Sequence, residues 1–501
     1  MAHLPRLPPS PQEVCTIHEI ILGFEVHQPL RLSRAFGHEG GAIDHDRYFD
    51  PINREVIERV ADRCYEPAVR IVLENLDAGH QYAFSISGTL IEQLDQWRPD
   101  TLELFAQVAR HRNAEVLAQT YYHSIASLFS DKSEFAKQVY QHMDAIWDLF
   151  HVRPTTFENT GFIYSNEIAA LVGDLGFLAA YTEGVPRVLG DRSPNRLYLC
   201  MGVPTLLRNA DLSDEIASRD SGTPPGGRGL PGGLSVETYA DEVTAIDGPV
   251  VSIFENLETY GEHPGAGAGV PDLLRALPGA LAERGIATTL PRRATAEHQP
   301  DDVLDIPEPI SWADKEKDLS AWTGNPMQRA AIAAVERAGV YAENQELWRR
   351  LQVSDHFHEM ATSGNGRGEV HVFVPHQRPE EAFETYMEAV AAFTEESIAS
   401  MHDRAAAQAL RALPPALAFH FRSPDGGNGH TAYDLDAFAT LIREVPEESV
   451  RYHHSRGDFA RWLREVVGDS EVAARVEGLD DPAGIAERLD EEREVLWNRL
   501  S

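Results

Sequence analysis

The chain has 501 residues, 43% of them hydrophobic, and 79 acidic against 44 basic side chains leave a formal charge of −35. That length supports about two to four domains with sizeable cores. No apolar run is long enough for a transmembrane helix, and the negative field disfavours nucleic acid, whose phosphates need a cationic footprint.

In chain order, residues 1–16 are proline-rich and lack the apolar centre of a secretory signal, so a disordered arm on a cytoplasmic protein is expected. Over 17–310 short apolar runs alternate with amphipathic stretches. Strands are expected at Ile20–Val26, Tyr82–Ile86, Glu115–Gln119, Thr155–Phe157, Leu178–Tyr181, Thr205–Leu207 and Pro249–Phe254. Asn53–Leu76 carries Val56, Val60, Cys64, Val69 and Val72 at helical spacing. Strands separated by helical crossovers predict parallel βα units. In a closed barrel of such units, function collects at the C-terminal strand ends.

Polar residues do stand there. Glu25, His27 and Gln28 follow the first strand, Ser85 and Ser87 the second, and Gln119, Tyr121, Tyr122 and His123 the third. Glu158 to Thr160, Glu183, Arg208 with Asn209, and Glu255, Asn256 and Glu258 follow the remaining four. Loops are polar in any protein, so each residue alone is weak evidence. Their recurrence at every strand end predicts a lined pocket.

Ser221–Gly233 is rich in glycine and proline, and it lacks the lysine and strand-to-helix setting of a phosphate loop. It is expected to be either a mobile loop at the barrel mouth or a flexible linker. Beyond 310 the pattern turns helical, with Met327–Ala338, Gln345–Val353 and Glu380–Ala407 forming a domain over 311–412. Leu413-Pro414-Pro415 marks a boundary to a small α+β unit over 413–501, with a strand at Ala416–Phe421 and helices at Leu435–Glu444 and Asp458–Val467. Phe459, Trp462 and Leu463 have the spacing of a buried helix face, and Asp458 is expected to cap that helix.

Only Lys132, Lys137, Lys315 and Lys317 are lysines; the other 40 of the 44 basic residues are arginines. An acidic, lysine-poor surface stays dispersed in strong salt, as a halophilic cytoplasm requires; a GC-rich genome accounts for the same bias. Cys15, Cys64 and Cys200 fit neither a disulfide framework nor a zinc spacing. Among 21 histidines, His45 between two aspartates and the pair His453-His454 belong to no HExxH motif, so no metal and no cofactor are expected. A barrel deacetylase with His and Asp ligands is a weak rival.

Six segments in order carry a family resemblance: Phe24-Glu25-Val26-His27-Gln28-Pro29, Phe84-Ser85-Ile86-Ser87-Gly88, Thr120-Tyr121-Tyr122-His123-Ser124, Glu258-Thr259-Tyr260-Gly261-Glu262-His263, Ile310-Ser311-Trp312-Ala313-Asp314 and Leu351-Gln352-Val353-Ser354-Asp355-His356-Phe357. Together they resemble glycoside hydrolase family 57, in its α-amylase and α-amylase-like group, over roughly residues 17 to 400. The resemblance implies an α/β fold: an incomplete seven-stranded (β/α) barrel over 17–310, then the helical domain 311–412 closing a glucan cleft. It implies α-glucan or maltooligosaccharide as partner, with His27, Glu115, His123, Glu258, His263, Trp312 and Asp355 lining the sugar subsites. The segment Glu448 to Leu463 resembles a small domain of unknown function, numbered 5752, which implies no activity.

Family chemistry is retaining, with a glutamate nucleophile after strand four and an aspartate acid/base after strand seven, about 5–5.5 Å apart. This chain departs at both places. Phe157-Glu158-Asn159-Thr160-Gly161 puts Gly161 at the nucleophile position, and Glu255-Asn256-Leu257-Glu258 puts Asn256 at the acid/base position. Loss of an acid/base alone removes about 10² to 10⁴ in rate, and loss of the nucleophile removes the covalent route. A glucan-binding protein with lost or reduced hydrolysis is expected. The alternative is an active hydrolase or 4-α-glucanotransferase with a displaced carboxylate, such as Glu158 with Glu258 at an inverting separation of about 6.5–9.5 Å.

Overall fold

The computed structural model describes residues 19–34, 45–220, 235–262, 270–313, 315–362, 376, 378–423, 426–479 and 481–500. The N-terminal arm, the Ser221–Gly233 loop and His263 lie outside the described residues. One compact unit takes in the described parts of Met1–Pro29 and Arg54–Leu319; the other takes in those of Leu30–Asn53, Ser320–Arg367 and Val374–Ser501.

The first unit is a parallel-sheet α/β structure. Its strands are β1 (Glu19–Val26), β2 (Tyr82–Ile86), β3 (Ala114–Val116), β4 (Thr156–Glu158), β5 (Ala179–Glu183), β6 (Tyr198–Cys200), β7 (Val203–Arg208), β8 (Val250–Asn256), β9 (Ala287–Thr288) and β10 (Asp302–Val303). One sheet runs β3-β2-β1-β8, with β9 also on β1; the other runs β10-β6-β7-β5-β4. All pairs are parallel except the β6–β7 hairpin.

The two sheets touch at both edges through few main-chain bonds. Ala118 N–H donates to Thr156 O at 2.9 Å and Glu158 N–H to Ala118 O at 2.8 Å, while Asn209 N–H donates to Ser252 O at 2.8 Å. Alternate side chains therefore converge inside: Ile21, Ala83, Leu117, Tyr181, Leu206 and Phe254 share one buried cluster with Phe162. Gly23 belongs to this inward series because a Cβ there would lie 2.2 Å from the Phe254 ring. Leu22 and Phe24 face the other way, toward Leu274 and Leu277 of helix Val270–Glu283.

All seven expected strands form, with ends shifted by a residue or a few. The expected helix over 53–76 is instead Ile52–Val60 and Glu66–Asp77 joined by a wider turn at Ala61–Tyr65. Pro67 lacks an N–H and cannot continue the regular ladder at that point. No described helix is long and apolar enough to cross a membrane.

In the second unit, helix Pro326–Tyr341 runs beside Pro379–Ser400. The expected helix over 380–407 stops at Ser400, because Asp403 caps a new helix, Arg404–Leu410, by accepting from Ala406 N–H at 3.0 Å. The expected boundary at 413 falls inside a single core, in which Ala406, Leu410 and Leu413 pack with Phe419, Phe438, Leu463 and Leu489. A strand over 416–421 becomes the hairpin β11 (Phe419–Ser423) and β12 (Gly426–Ala432). Phe459, Trp462 and Leu463 are buried as expected. Asp458 is not the cap: Gly457, with φ 68, holds that place, and the Asp458 carboxylate instead binds His453, Arg456 and Arg461.

Candidate active site

The C-terminal ends of β1, β2 and β4 and the segment after β3 bring five polar side chains into one chain of contacts. Ser85 Oγ donates to Glu158 Oε2 at 2.6 Å, and Gln119 Nε2 donates to Ser85 Oγ at 2.8 Å. His123 Nδ1 lies 3.0 Å from Gln119 Oε1, and its Nε2 lies 3.1 Å from Glu25 Oε1. With the Gln119 amide turned toward Ser85, its Oε1 can only accept, so His123 donates from Nδ1. His27 stacks on His123 at 4.1 Å between ring centres, and its Nδ1 lies 2.7 Å from Ser87 Oγ.

Gln119 is held from behind by His142, whose Nδ1 accepts the Gln119 N–H at 3.4 Å and whose Nε2 lies 2.8 Å from Ile86 O. Burial pushes the His142 imidazole down to about 4, so it is neutral at pH 7. Glu158 is 1% exposed, and its Oε1 accepts no hydrogen bond. Burial pushes its carboxyl up to about 8 against the pull of the Ser85 hydroxyl and the Phe162 backbone N–H. Glu158 is thus a protonated acid at pH 7.

The strand ends of β5 and β7 solve burial differently. Arg208 Nη1 bonds Glu183 Oε2 at 2.9 Å, its Nη2 bonds Asp214 Oδ1 at 2.6 Å, and its Nε donates to Phe254 O at 2.7 Å. Burial alone would lower the Arg208 pKa, but Glu183 and Asp214 outweigh it and raise it. Burial likewise opposes ionisation of Asp214, and Arg208 and Lys317 overcome it, holding Asp214 below the usual carboxylate range. Lys317 Nζ completes the group at 3.3 Å from Glu183 Oε2 and 3.5 Å from Asp214 Oδ2.

Gly161 sits between these two regions, in a tight turn, Thr160–Phe162, after β4. Its φ of 56 and ψ of 25 are left-handed, and Phe162 follows with φ 55. The Gly161 carbonyl accepts the Trp312 N–H at 3.1 Å. The half-buried Trp312 indole meets Phe162 edge-to-face at 4.8 Å, and the Arg208 guanidinium lies 5.4 Å from its centre. Asn256 ends β8 in register with Glu25 and is half-buried.

Adjacent Glu255 faces the opposite way. It accepts from the Tyr260 hydroxyl at 2.9 Å and lines a small apolar cavity with Leu22, Leu274, Leu277 and Pro278. Burial pushes its carboxyl up to about 8, opposed by Tyr260 and Arg208.

The structure therefore gathers His27 and His123 at the strand ends, with Gly161 and Trp312 in direct contact. Glu258 accepts the Tyr65 hydroxyl at 2.5 Å, which ties it to the wider turn of the 52–77 segment. Glu115 is not grouped with the histidines. It lies level with Ala83, one side-chain layer below Ser85, and its carboxylate accepts from the Thr156 hydroxyl at 2.7 Å and the Arg292 N–H at 2.9 Å. Asp355 belongs to the second unit, in helix Ser354–His358.

A family model described as "Glycosyl hydrolase family 57" matches residues 21–307. The chain belongs to that family. A curated Methanocaldococcus jannaschii protein named "Putative alpha-amylase" is 32% identical to this family 57 chain over 393 residues, covering 74% of this chain and 82% of that protein. The family 57 branching enzyme of Thermococcus kodakaraensis, solved with glucose and additives, is similar with a TM-score of 0.56 at 12% identity, over 77% of this chain and 92% of that one. The 4-alpha-glucanotransferase of Thermococcus litoralis gives 0.54 at 14% identity over 76% of this chain, which spans 60% of the transferase's length. Both structural likenesses concern the fold.

Two members of the site escaped the family 57 motifs. His142 lies in the middle of helix Ser133–Phe150 with no motif around it. Lys317 had one signal, its rarity: it is among only four lysines in the chain.

Proposed function

We propose that this family 57 chain binds α-glucan or maltooligosaccharide and has lost, or strongly reduced, hydrolase activity because Gly161 and Asn256 occupy the two catalytic carboxylate positions. We read its two sheets as an incomplete seven-stranded (β/α) barrel, 311–412 as the part that closes the glucan cleft, and 413–501 as an accessory domain. His27, His123, Glu258 and Trp312 serve as sugar contacts in this reading, and Glu115, His263 and Asp355 are assigned to the subsites by resemblance alone. The glucan class rests on the α-amylase, branching and glucanotransferase names of the relatives.

The observation that carries the loss of activity is the backbone at Gly161. Its left-handed φ of 56 costs an L-residue about 1–2 kcal/mol, and because Phe162 already bears such a backbone at φ 55, a side chain at 161 would add a second strained residue to the same turn. Retaining hydrolysis needs a carboxylate to attack C1 and another to shuttle a proton; an amide at 256 does neither.

The deciding experiment presents purified protein, in low and high salt, with maltooligosaccharides and soluble starch. Saturable tryptophan quenching without release of reducing sugar is the expected result. Sustained sugar release that disappears in Glu158→Gln would overturn it. That outcome would favour the second reading, in which neutral, inward-facing Glu158 acts as a general acid with a displaced partner such as Glu258. Combining Gly161→Glu with Asn256→Asp should restore measurable cleavage only if the turn accepts the left-handed glutamate.

A further inference from the structure

We infer that Lys317 is a positioning residue that clamps the loop carrying Trp312, presenting the indole as a platform for a pyranose ring. This rests on the glucan-binding reading and adds to it a residue outside the six motifs. An ammonium has three N–H donors, and Lys317 Nζ has three oxygen neighbours: Trp312 O at 3.0 Å, Glu183 Oε2 at 3.3 Å and Asp214 Oδ2 at 3.5 Å. A compact point charge suits three acceptors converging from different directions; the planar fork of arginine does not. This separates Lys317 from the arginines that otherwise dominate the chain.

The backbone carries a second, independent sign. Lys317 has φ 51, a conformation that a non-glycine residue holds only when its surroundings over-determine it. They do so here. Its carbonyl accepts from Arg187 Nη2 at 2.8 Å and from the Ser311 N–H at 3.3 Å, and Ser311 Oγ donates to Asp318 O at 2.6 Å. The loop is thus closed on itself around Lys317, and its Trp312 end is fastened to Gly161 O by the main-chain N–H of Trp312. Arg208, shared with the same two carboxylates, lies beside the ring at 5.4 Å, where a cation attracts the π face. The clamp therefore sets both where the platform stands and what supports it.

The test compares wild type, Lys317→Met and Lys317→Arg, each measured against its own Trp312→Phe partner so that the signal of this one indole is obtained by difference. In Lys317→Met, acrylamide quenching of Trp312 should rise at least twofold and affinity for maltohexaose should fall about tenfold. Lys317→Arg should recover the thermal midpoint, because charge balance at Glu183 and Asp214 is kept, yet regain little of the affinity. Unchanged Trp312 quenching and affinity in Lys317→Met would overturn the clamp. If wild type binds no maltohexaose while quenching of Trp312 still responds to Lys317→Met, the glucan reading fails and the clamp on the loop stands without a sugar role.

Discussion

The two groups of strand ends bury carboxyl groups by opposite means. On the β1–β4 side Glu158 is stripped of water, helped only by the Ser85 hydroxyl and the Phe162 backbone N–H and by no cation, and it survives by keeping its proton. On the β5–β7 side Glu183, equally buried, is met by an arginine and a lysine. Desolvation disfavours charge in both places, and the sequence chooses between surrendering the charge and matching it. The contrast teaches that carboxylates in one cleft can play unlike roles: a neutral donor on one side, a fixed electrostatic frame on the other.

The largest effect should come from removing the frame. Arg208→Met leaves Glu183 with Lys317 and the Gly184 N–H but without its arginine, and breaking a buried pair in this way costs about 3–5 kcal/mol, measurable as a lower urea midpoint. On the other side pH does the work. The Glu158 and Glu255 carboxyls are raised from 4.5 to about 8 in the folded chain, so the folded state holds protons that the unfolded state releases. Their contribution to stability is complete below about 4.5 and is lost as pH rises toward 8, with a slope of up to about 1.4 kcal/mol per pH unit for each group. Denaturation midpoints between pH 5 and 8 should show this decline, and Glu158→Gln with Glu255→Gln should flatten it; a flat wild-type profile would contradict the protonated state.

A smaller effect is expected at the turn between the two groups. Gly161→Ala should cost about 1–2 kcal/mol through its left-handed backbone, seen in thermal unfolding with little change in sugar affinity. Ser85→Ala should cost a comparable amount, about 1 kcal/mol for each of its two lost hydrogen bonds, to Glu158 and from Gln119. Because the hydroxyl favours the ionised form, its loss should also move the titration of Glu158, followed by carboxyl infrared absorption, further upward.

Much of this was legible beforehand for identifiable reasons. β1, β2 and β8 are apolar runs buried on both faces, and such runs announce themselves. β9 and β10 have two residues each and β12 reads GGNGHTA, so no periodicity could expose them. The polar residues at the strand ends were visible, and so was the opposite facing of Glu255 and Asn256, which follows from the pleat. Contact partners were not. Nothing local says that Glu115 would be used up by Thr156 and the backbone of Arg292, or that Lys317 would return to Glu183 across more than a hundred residues. The break at Pro67 was readable in principle, since a missing N–H is a property of the residue itself.

One feature of the strand arrangement reaches beyond catalysis. Where the two sheets meet, ladders give way to isolated main-chain bonds, and side chains do the stitching: Ser85 to Glu158 and Thr156 to Glu115 along one join, Arg208 to the Phe254 carbonyl along the other. On the first join Glu158 becomes a buried charge without a cation to match it as pH rises through about 8, whereas the guanidinium of the second keeps its charge matched by Glu183 and Asp214. Mild alkali should therefore loosen the casing along one side only, with amide exchange accelerating at Ala118 and Glu158 while Asn209 stays protected.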